Sequence, residues 1–236
     1  MRKAMYEATK YTQPKPIGEC RCGGTVYVWL YPLLRKKTRF ELVIWCNKCL
    51  IEDNIPVNPR KLKRDVVKEL YEYFVQVITP PARLKEMYTT QIPCPLCSSQ
   101  LEYSEGEDYV EVLCRNCLPL IHLQGTTLSK TIEERALELV YRIYREKVRV
   151  LTITVLNLVL EAQLKNSQIL MELATKYIEL IEKLTNRIEI YIELTQQIAD
   201  RKLREILEND YNLLHQLLKA GIEVAKKVVK QQIYIR

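Results

Sequence analysis

Eight cysteines arranged in four close pairs constrain this chain more than any other feature of its sequence. The pairs are Cys20/Cys22, Cys46/Cys49, Cys94/Cys97 and Cys114/Cys117. A small secreted protein would use an even cysteine count for disulfides, but this chain has 236 residues and its first residues, MRKAMYEATK, lack the apolar run of a signal peptide. We therefore expect a cytoplasmic protein whose paired thiols are reduced and chelate metal.

The spacing of the pairs predicts two separate metal sites. Zinc prefers about four ligands in a tetrahedron, and two thiolates in one tight turn supply half of such a site. The first two pairs are separated by 23 residues and the last two by 16, and either interval can hold a β-hairpin. A cross-brace between the first and third pairs is the weaker alternative, because 44 residues separate Cys49 from Cys94. A second alternative is that the thiolates bind iron instead of zinc. Four thiolates leave no open coordination position, so we expect two structural Zn²⁺ ions.

Strand-like sequence fills both intervals between cysteine pairs. After the first pair, TVYVWLY alternates two sets of side chains: Val26, Val28 and Leu30, and Tyr27, Trp29 and Tyr31. RFELVIW then leads into the second pair, and the second interval repeats the arrangement around an acidic turn. Residues 17–51 and 92–118 each resemble a zinc ribbon of the rubredoxin-like kind, in which two knuckles and a hairpin hold one structural zinc. The CxC knuckle departs from the usual CxxC form, and Gly23 and Gly24 are expected to provide its turn.

The two hairpin tips carry opposite charges. The first tip is basic through Arg35, Lys36, Lys37 and Arg39; the second interval is acidic through Glu102, Glu105, Glu107, Asp108 and Glu111. Because each zinc with four thiolates contributes −2, two sites lower the formal charge of +7 to about +3, and net charge alone is a weak argument for nucleic acid. A basic tip beside Tyr27 and Trp29 nevertheless favours a nucleic-acid surface. The alternative is that these rings pack on a helix and the tip charges only aid solubility.

A second basic cluster lies between the two ribbons. Asn58 and Pro59 predict a helix start, and an apolar stripe follows as far as residue 77. The first turn carries Arg60, Lys61, Lys63 and Arg64. Cations at a helix N-terminus oppose the helix dipole, a cost that phosphate or a neighbouring acidic face would offset.

The acidic turn of the second ribbon has three interpretations. It contacts basic patches of its own chain, or it contacts a basic partner. Alternatively, it resembles the ribbon of transcript-cleavage factors, whose acidic pair at the hairpin tip completes a Mg²⁺ site in RNA polymerase. Glu107 and Asp108 are the nearest equivalents here, although the neighbouring residues differ.

Residues beyond 130 are predicted to be helical, because they contain no proline and a single glycine. Thr131 and Glu134 fit a capping box, and Asn166, Ser167 and Asp200 are candidate breaks. These predict helices at 131–165, 167–199 and 201–232 that form a bundle, or a single rod over 167–232. Residues 148–164 are apolar nearly all round, which favours a buried central helix or else an interface.

No catalytic motif is present, and neither His122 nor His215 neighbours a nucleophile, so we expect no enzyme. The predicted fold class is α+β, with two zinc-ribbon β-hairpin modules and a long α-helical bundle or coiled coil. The predicted divisions are an extension (1–16), ribbons (17–51 and 91–123), a connecting helical segment (58–90) and a helical domain (130–236). The expected function is binding of DNA, RNA or nucleoprotein in information processing. The alternative is a scaffold that uses its helices for a protein partner or self-association. No membrane role is expected.

Overall fold

A computed structural model describes residues 7–33, 39–80, 86–107, 109–127 and 129–234, and the side chains of all of these except residues 33, 39 and 232–234. The chain divides into two compact units. The first comprises Met1–Leu84, Ile153–Leu180 and Ala225–Arg236; the second comprises Lys85–Thr152 and Ile181–Val224. Each unit contains one cysteine-bearing sheet together with part of the helical half.

The sheet of the first unit has four antiparallel strands in sequence order. They are β1 (Lys15–Glu19), β2 (Thr25–Leu33), β3 (Arg39–Cys46) and β4 (Glu52–Val57). The register opposes Val28 to Ile44 and Leu30 to Leu42, and all four side chains are fully buried. The predicted alternation of β2 is therefore confirmed, and its aliphatic face forms the core of this unit.

Helical residues of the same unit cover this aliphatic face. The Tyr177 hydroxyl donates a hydrogen bond to the carbonyl oxygen of Leu30, and the Tyr177 and Phe40 rings stack at a centroid distance of 6.2 Å. Burial raises the pKa of Tyr177 well above its ordinary value. An aromatic ring with one polar atom suits this position, because the ring fills the core and its hydroxyl donates to a buried backbone oxygen.

The sheet of the second unit repeats the order of the first. Its strands are β5 (Tyr88–Pro93), β6 (Gln100–Glu105), β7 (Val110–Leu113) and β8 (His122–Gly125). Leu101, Tyr103 and Val112 are fully buried. In both units the chain therefore forms a strand, a knuckle, a hairpin, a second knuckle and a further strand before a helix.

The helices end near the predicted breaks, and the helical half has two additional irregularities. The helical elements are α1 (Arg64–Val77), α2 (Ile132–Ile143), a π-helical turn (Tyr144–Val148), α3 (Arg149–Leu164), α4 (Gln168–Asn186), α5 (Ile188–Thr195) and α6 (Arg201–Tyr234). The Thr131 and Glu134 capping box is present, and Asp200 accepts hydrogen bonds from the first backbone N–H groups of α6. A rod over 167–232 is wrong, because α5 ends at residue 195. The π-helical turn and the break at Arg187 were not predicted.

Two further predictions need correction. Residues 130–236 do not form a compact unit of their own, because each sheet needs an apolar cover and takes part of the helical half. Residues 148–164 are not buried all round, since Ile153, Leu160 and Leu164 are 42%, 52% and 88% exposed. The mixed α+β class is confirmed, and none of the helices in the described ranges is long and apolar enough to cross a bilayer.

Candidate metal centres

The first cysteine cluster lies at the turns that follow β1 and β3. Cys20 and Cys22 lie between β1 and β2, Cys46 ends β3, and Cys49 precedes β4. The Sγ atoms of Cys20 and Cys49 are 3.9 Å apart, and those of Cys22 and Cys46 are 3.4 Å apart. Four sulphurs bound at about 2.3 Å from one tetrahedral ion lie roughly 3.8 Å apart. This cluster therefore has the dimensions of a single tetrahedral metal site.

The second cluster has the same construction. Cys94 follows β5 with Cys97 in the next turn, and Cys114 follows β7 with Cys117 in a 3₁₀ turn. The Cys97 and Cys114 sulphurs are 3.5 Å apart, and in each cluster the four sulphurs lie within 4.8 Å of one another. The clusters thus join the first pair to the second and the third pair to the fourth. A cross-brace between the first and third pairs is excluded.

Three of the four knuckles share one backbone conformation. The residue after the second cysteine adopts a positive φ at Gly23 (74°), Leu50 (58°) and Ser98 (66°). In two of them the backbone N–H two residues after the first cysteine donates to its sulphur, at 3.4 Å, from Lys48 to Cys46 and from Leu96 to Cys94. These N–H groups stabilise thiolate charge.

Gly24 meets a separate steric demand in the first cluster. A Cβ atom at this position would lie 2.7 Å from the Cys46 sulphur and 2.4 Å from the Lys48 Cβ atom. The expectation that Gly23 and Gly24 shape the CxC knuckle is therefore confirmed, the first by its left-handed φ and the second by close approach.

The thiols of each cluster shift one another's pKa values, because neighbouring sulphurs share hydrogen bonds. Burial opposes the thiolate of Cys22, but hydrogen bonds from Cys46 and from the Gly24 backbone bring its pKa down to about 7. Hydrogen bonds from Cys114 and Cys117 lower the pKa of Cys97, whereas burial raises the pKa of Cys49. A bound cation would remove the remaining thiol protons.

The donor set of each cluster fits a structural metal ion. All eight ligands are thiols, with no carboxylate or imidazole among them, and such closed sites bind Zn²⁺ and iron alike. A bound ion would supply a cross-link between the two ends of the hairpin and no catalytic position. Two structural zinc ions are therefore consistent with this geometry.

Helical residues of the second unit support its cluster. The Arg187 guanidinium donates to the carbonyl oxygens of Cys94 and Pro95, both at 3.2 Å, and the Tyr191 hydroxyl donates to Pro93 at 2.6 Å. These contacts were not predicted from the sequence. The one available signal is that a tyrosine at an apolar helical position, such as Tyr191, usually has a buried hydrogen-bond acceptor.

In the first unit, Tyr71 of α1 has a comparable place beside the cysteine cluster. Its hydroxyl donates to the carbonyl oxygen of Glu19 at 2.9 Å and accepts from the Glu19 N–H at 3.1 Å. Gly18 allows this approach, because a Cβ atom there would lie 2.4 Å from the Tyr71 ring. A tyrosine hydroxyl therefore fixes the strand just before the first knuckle.

The acidic hairpin is neutralised mostly within its own unit. Arg115 pairs with Glu102 at 2.5 Å, Arg135 pairs with Glu105, and His122 lies 2.8 Å from Glu111. These partners are not the basic patches considered from sequence. Glu107 is exposed, and Asp108 lies outside the described residues. His122 therefore acts as a partner of Glu111 and belongs to neither cluster.

The predicted nucleic-acid contacts are placed only in part. Arg35, Lys36 and Lys37 lie outside the described residues, and Arg39 begins β3 with no described side chain. Arg60 and Lys61 lie in a 3₁₀ turn (Pro59–Lys61) that Asn58 caps, so the predicted cap precedes this turn and α1 begins only at Arg64. Lys63 and Arg64 are at the start of α1, and all four cations are exposed.

The two aromatic residues predicted to stack on bases, Tyr27 and Trp29, are not both exposed, as base stacking would require. Trp29 is fully buried, so its predicted contact with a base is wrong: β2 is covered on both faces at this position. Tyr27 is half-buried and stacks on Trp45 with ring centroids 5.5 Å apart. The hypothesis that the β2 aromatics serve packing is therefore supported for Trp29.

In comparisons with known proteins, no family model, curated protein or solved structure matches the chain.

Proposed function

We propose that this chain is a non-catalytic, zinc-stabilised protein of information processing that binds nucleic acid or nucleoprotein through its first unit. The observation that carries the proposal is the basic cluster, defined as Arg60, Lys61, Lys63 and Arg64. All four side chains are exposed. Within the described ranges, Lys61, Lys63 and Arg64 form no ion pair, and Arg60 contacts only the hydroxyl of Ser167, at 2.9 Å.

The N-terminus of α1 strengthens the positive potential of this basic cluster. Lys63 occupies the N-cap position and makes no side-chain capping hydrogen bond, and Asp65 is the single acidic residue of the first turn. Uncapped N–H groups and the positive end of the helix dipole favour an anion, whereas the neighbouring cations repel each other. A bound phosphate group would accept hydrogen bonds from the free N–H groups and would also reduce the repulsion between the cations.

The metal centre has a structural role in this proposal. β4 runs from just after Cys49 to residue 57 and leads directly into the 3₁₀ turn that carries Arg60 and Lys61. A closed four-thiolate site leaves no coordination position for a substrate. The ion would therefore fix the sheet from which the basic cluster projects.

The test is binding to duplex DNA, single strands and structured RNA at two salt concentrations, with metal content verified. The variant combines Arg60→Gln, Lys61→Gln, Lys63→Gln and Arg64→Gln. The matched control removes four exposed lysines elsewhere: Lys130→Gln, Lys183→Gln, Lys202→Gln and Lys227→Gln.

We expect the basic-cluster variant to weaken binding to many sequences alike. Each lost phosphate contact lowers the slope of log K against log salt by about 0.9, so four contacts lower it by roughly 3 to 4. The control should retain most of the slope despite its equal loss of charge. Equal effects of the two variants, or no binding by the wild type at low salt, would refute the proposal.

The second candidate function is a protein scaffold, and one observation favours it. Ile153, Leu160 and Leu164 share one face of α3 and are exposed. Such a face is typical of a surface that meets a protein partner. Under this hypothesis, Leu160→Asp with Leu164→Asp dissociates an assembly and leaves nucleic-acid binding unchanged. An assembly that survives these substitutions would count against the scaffold.

A further inference from the structure

Helix α6 carries a second apolar face that the second unit leaves uncovered. Ile206, Leu213, Leu217 and Val224 are 50%, 58%, 58% and 54% exposed. Their separations of seven, four and seven residues place them on one side of the helix. All four lie within the second unit, whose boundary is residue 224.

This exposed face is distinct from the one that builds the core. Leu207, Tyr211, Leu214 and Leu218 are 3%, 0%, 4% and 2% exposed. An amphipathic helix that packs on a single core has polar residues over the rest of its circumference. Helix α6 therefore carries one apolar stripe for folding and one that folding does not use.

The exposed stripe has the spacing of a coiled-coil seam. We define the α6 seam as six positions that alternate in steps of four and three residues: Ile206, Asp210, Leu213, Leu217, Ala220 and Val224. In heptad terms Ile206, Leu213 and Ala220 are d positions, and the other three are a positions. A sustained a/d pattern is the sequence signature of a helix that packs against another helix.

We propose that the α6 seam binds the α6 seam of a second copy of this chain, antiparallel about a two-fold axis between Leu213 and Leu217. The separations 7, 4 and 7 read the same in both directions. Ile206 therefore faces Val224 of the second copy, and Leu213 faces Leu217. Every a position meets a d position, which is the pairing of an antiparallel coiled coil, and a closed two-fold interface requires this self-complementarity.

Charge selects the antiparallel direction. A parallel dimer would set Asp210 directly against Asp210 of the second copy, and two carboxylates in a partly desolvated seam repel strongly. The antiparallel arrangement sets Asp210 against Ala220, whose small side chain leaves room for the carboxylate and its water. The single charged residue of the seam thus has a small neutral partner in one orientation and a like charge in the other.

The size of the surface indicates a weak dimer. Four half-exposed aliphatic side chains per copy, together with the flanking helix surface, bury on the order of 1,000 Å² in total, at the lower edge of specific interfaces. We therefore expect association that depends on concentration.

The first experiment measures molecular mass by sedimentation over a wide concentration range, on the full chain with its metal content verified. Leu213→Asp with Leu217→Asp buries charge in the seam and should weaken association more than about tenfold. The matched control, Asn212→Asp with Gln197→Asp, adds the same charge at exposed positions that do not flank the seam and should stay close to the wild type. A wild type that is monomeric throughout the range overturns the proposal, as does equal weakening by both pairs.

The second experiment tests the direction of pairing with two substitutions at one site. In the antiparallel seam, Ala220→Lys faces Asp210 and should tighten the dimer, whereas Ala220→Glu should weaken it. In a parallel seam residue 220 faces itself, so both substitutions would weaken association. Weaker or unchanged association of Ala220→Lys overturns the antiparallel arrangement.

Discussion

Replacing Arg187 with glutamine tests whether helical residues hold the second metal centre. The guanidinium makes two hydrogen bonds of 3.2 Å, to the carbonyl oxygens of Cys94 and Pro95. The Cys94 oxygen also accepts from the Ser98 N–H at 3.0 Å, so the loss is concentrated at Pro95. Hydrogen bonds to a charged donor contribute about 1.5 to 3 kcal/mol, and we place this loss near the lower end, at about 2 kcal/mol.

Metal release gives the sharper assay for Arg187→Gln. Loss of residues that position metal ligands usually weakens metal binding by about 10- to 100-fold. A chromophoric chelator should therefore remove one of the two expected metal equivalents faster than in the wild type, and leave the other unchanged. Urea denaturation of the metal-loaded protein measures the accompanying loss of stability.

The matched control is Arg201→Gln. The Arg201 side chain is 83% exposed and forms an ion pair with Glu205 one turn further along α6. Exposed pairs of this kind contribute about 0.5 kcal/mol or less, and this one touches no cysteine knuckle. If Arg187→Gln behaves like Arg201→Gln in both assays, the helical support of the second centre is refuted.

Two further predictions concern stability. Ser98→Gly should stabilise the protein by up to about 1 kcal/mol in urea denaturation, because Ser98 is exposed and has a φ of 66°, which glycine adopts without strain; a destabilised variant would contradict the strain argument. Burial, with a smaller contribution from Lys219, lowers the pKa of His215, so the folded state disfavours the imidazolium. The unfolded chain then binds more protons, and stability should fall as pH drops below about 6.5. His215→Gln should reduce this fall, and an identical pH profile for the two proteins would exclude His215 as its source.

The cysteine pattern predicted the local structure of both sheets well, for a physical reason. Thiolate pairs at short spacing fit few structures other than a metal knuckle, and the alternating sequence between them is typical of a hairpin. The starts of two helices could also be predicted from the sequence, because the side chains of Thr131 and Asp200 cap the helix within its first turn. These signals are local in sequence and need no knowledge of tertiary contacts.

The outer strands and the cover of each sheet were not predicted. β4 has the sequence EDNIPV, whose charges and proline give no strand signal, and it forms because β3 offers a free edge. The burial of Trp29 and the contacts of Arg187 and Tyr191 depend on residues far away in sequence. Periodicity identifies which face of a helix is apolar, but not which sheet that face will cover.

Metal analysis of the purified chain tests most directly whether two metal ions, each bound by four thiolates, hold the fold. Elemental analysis should find two equivalents of thiolate-bound metal per chain, and the spectrum of the bound ion distinguishes zinc from iron. Removal by a strong chelator should then abolish the β-sheet signal in circular dichroism, and added Zn²⁺ should restore it. A chain that purifies without metal and retains both sheets, or that binds a single equivalent, would contradict the account.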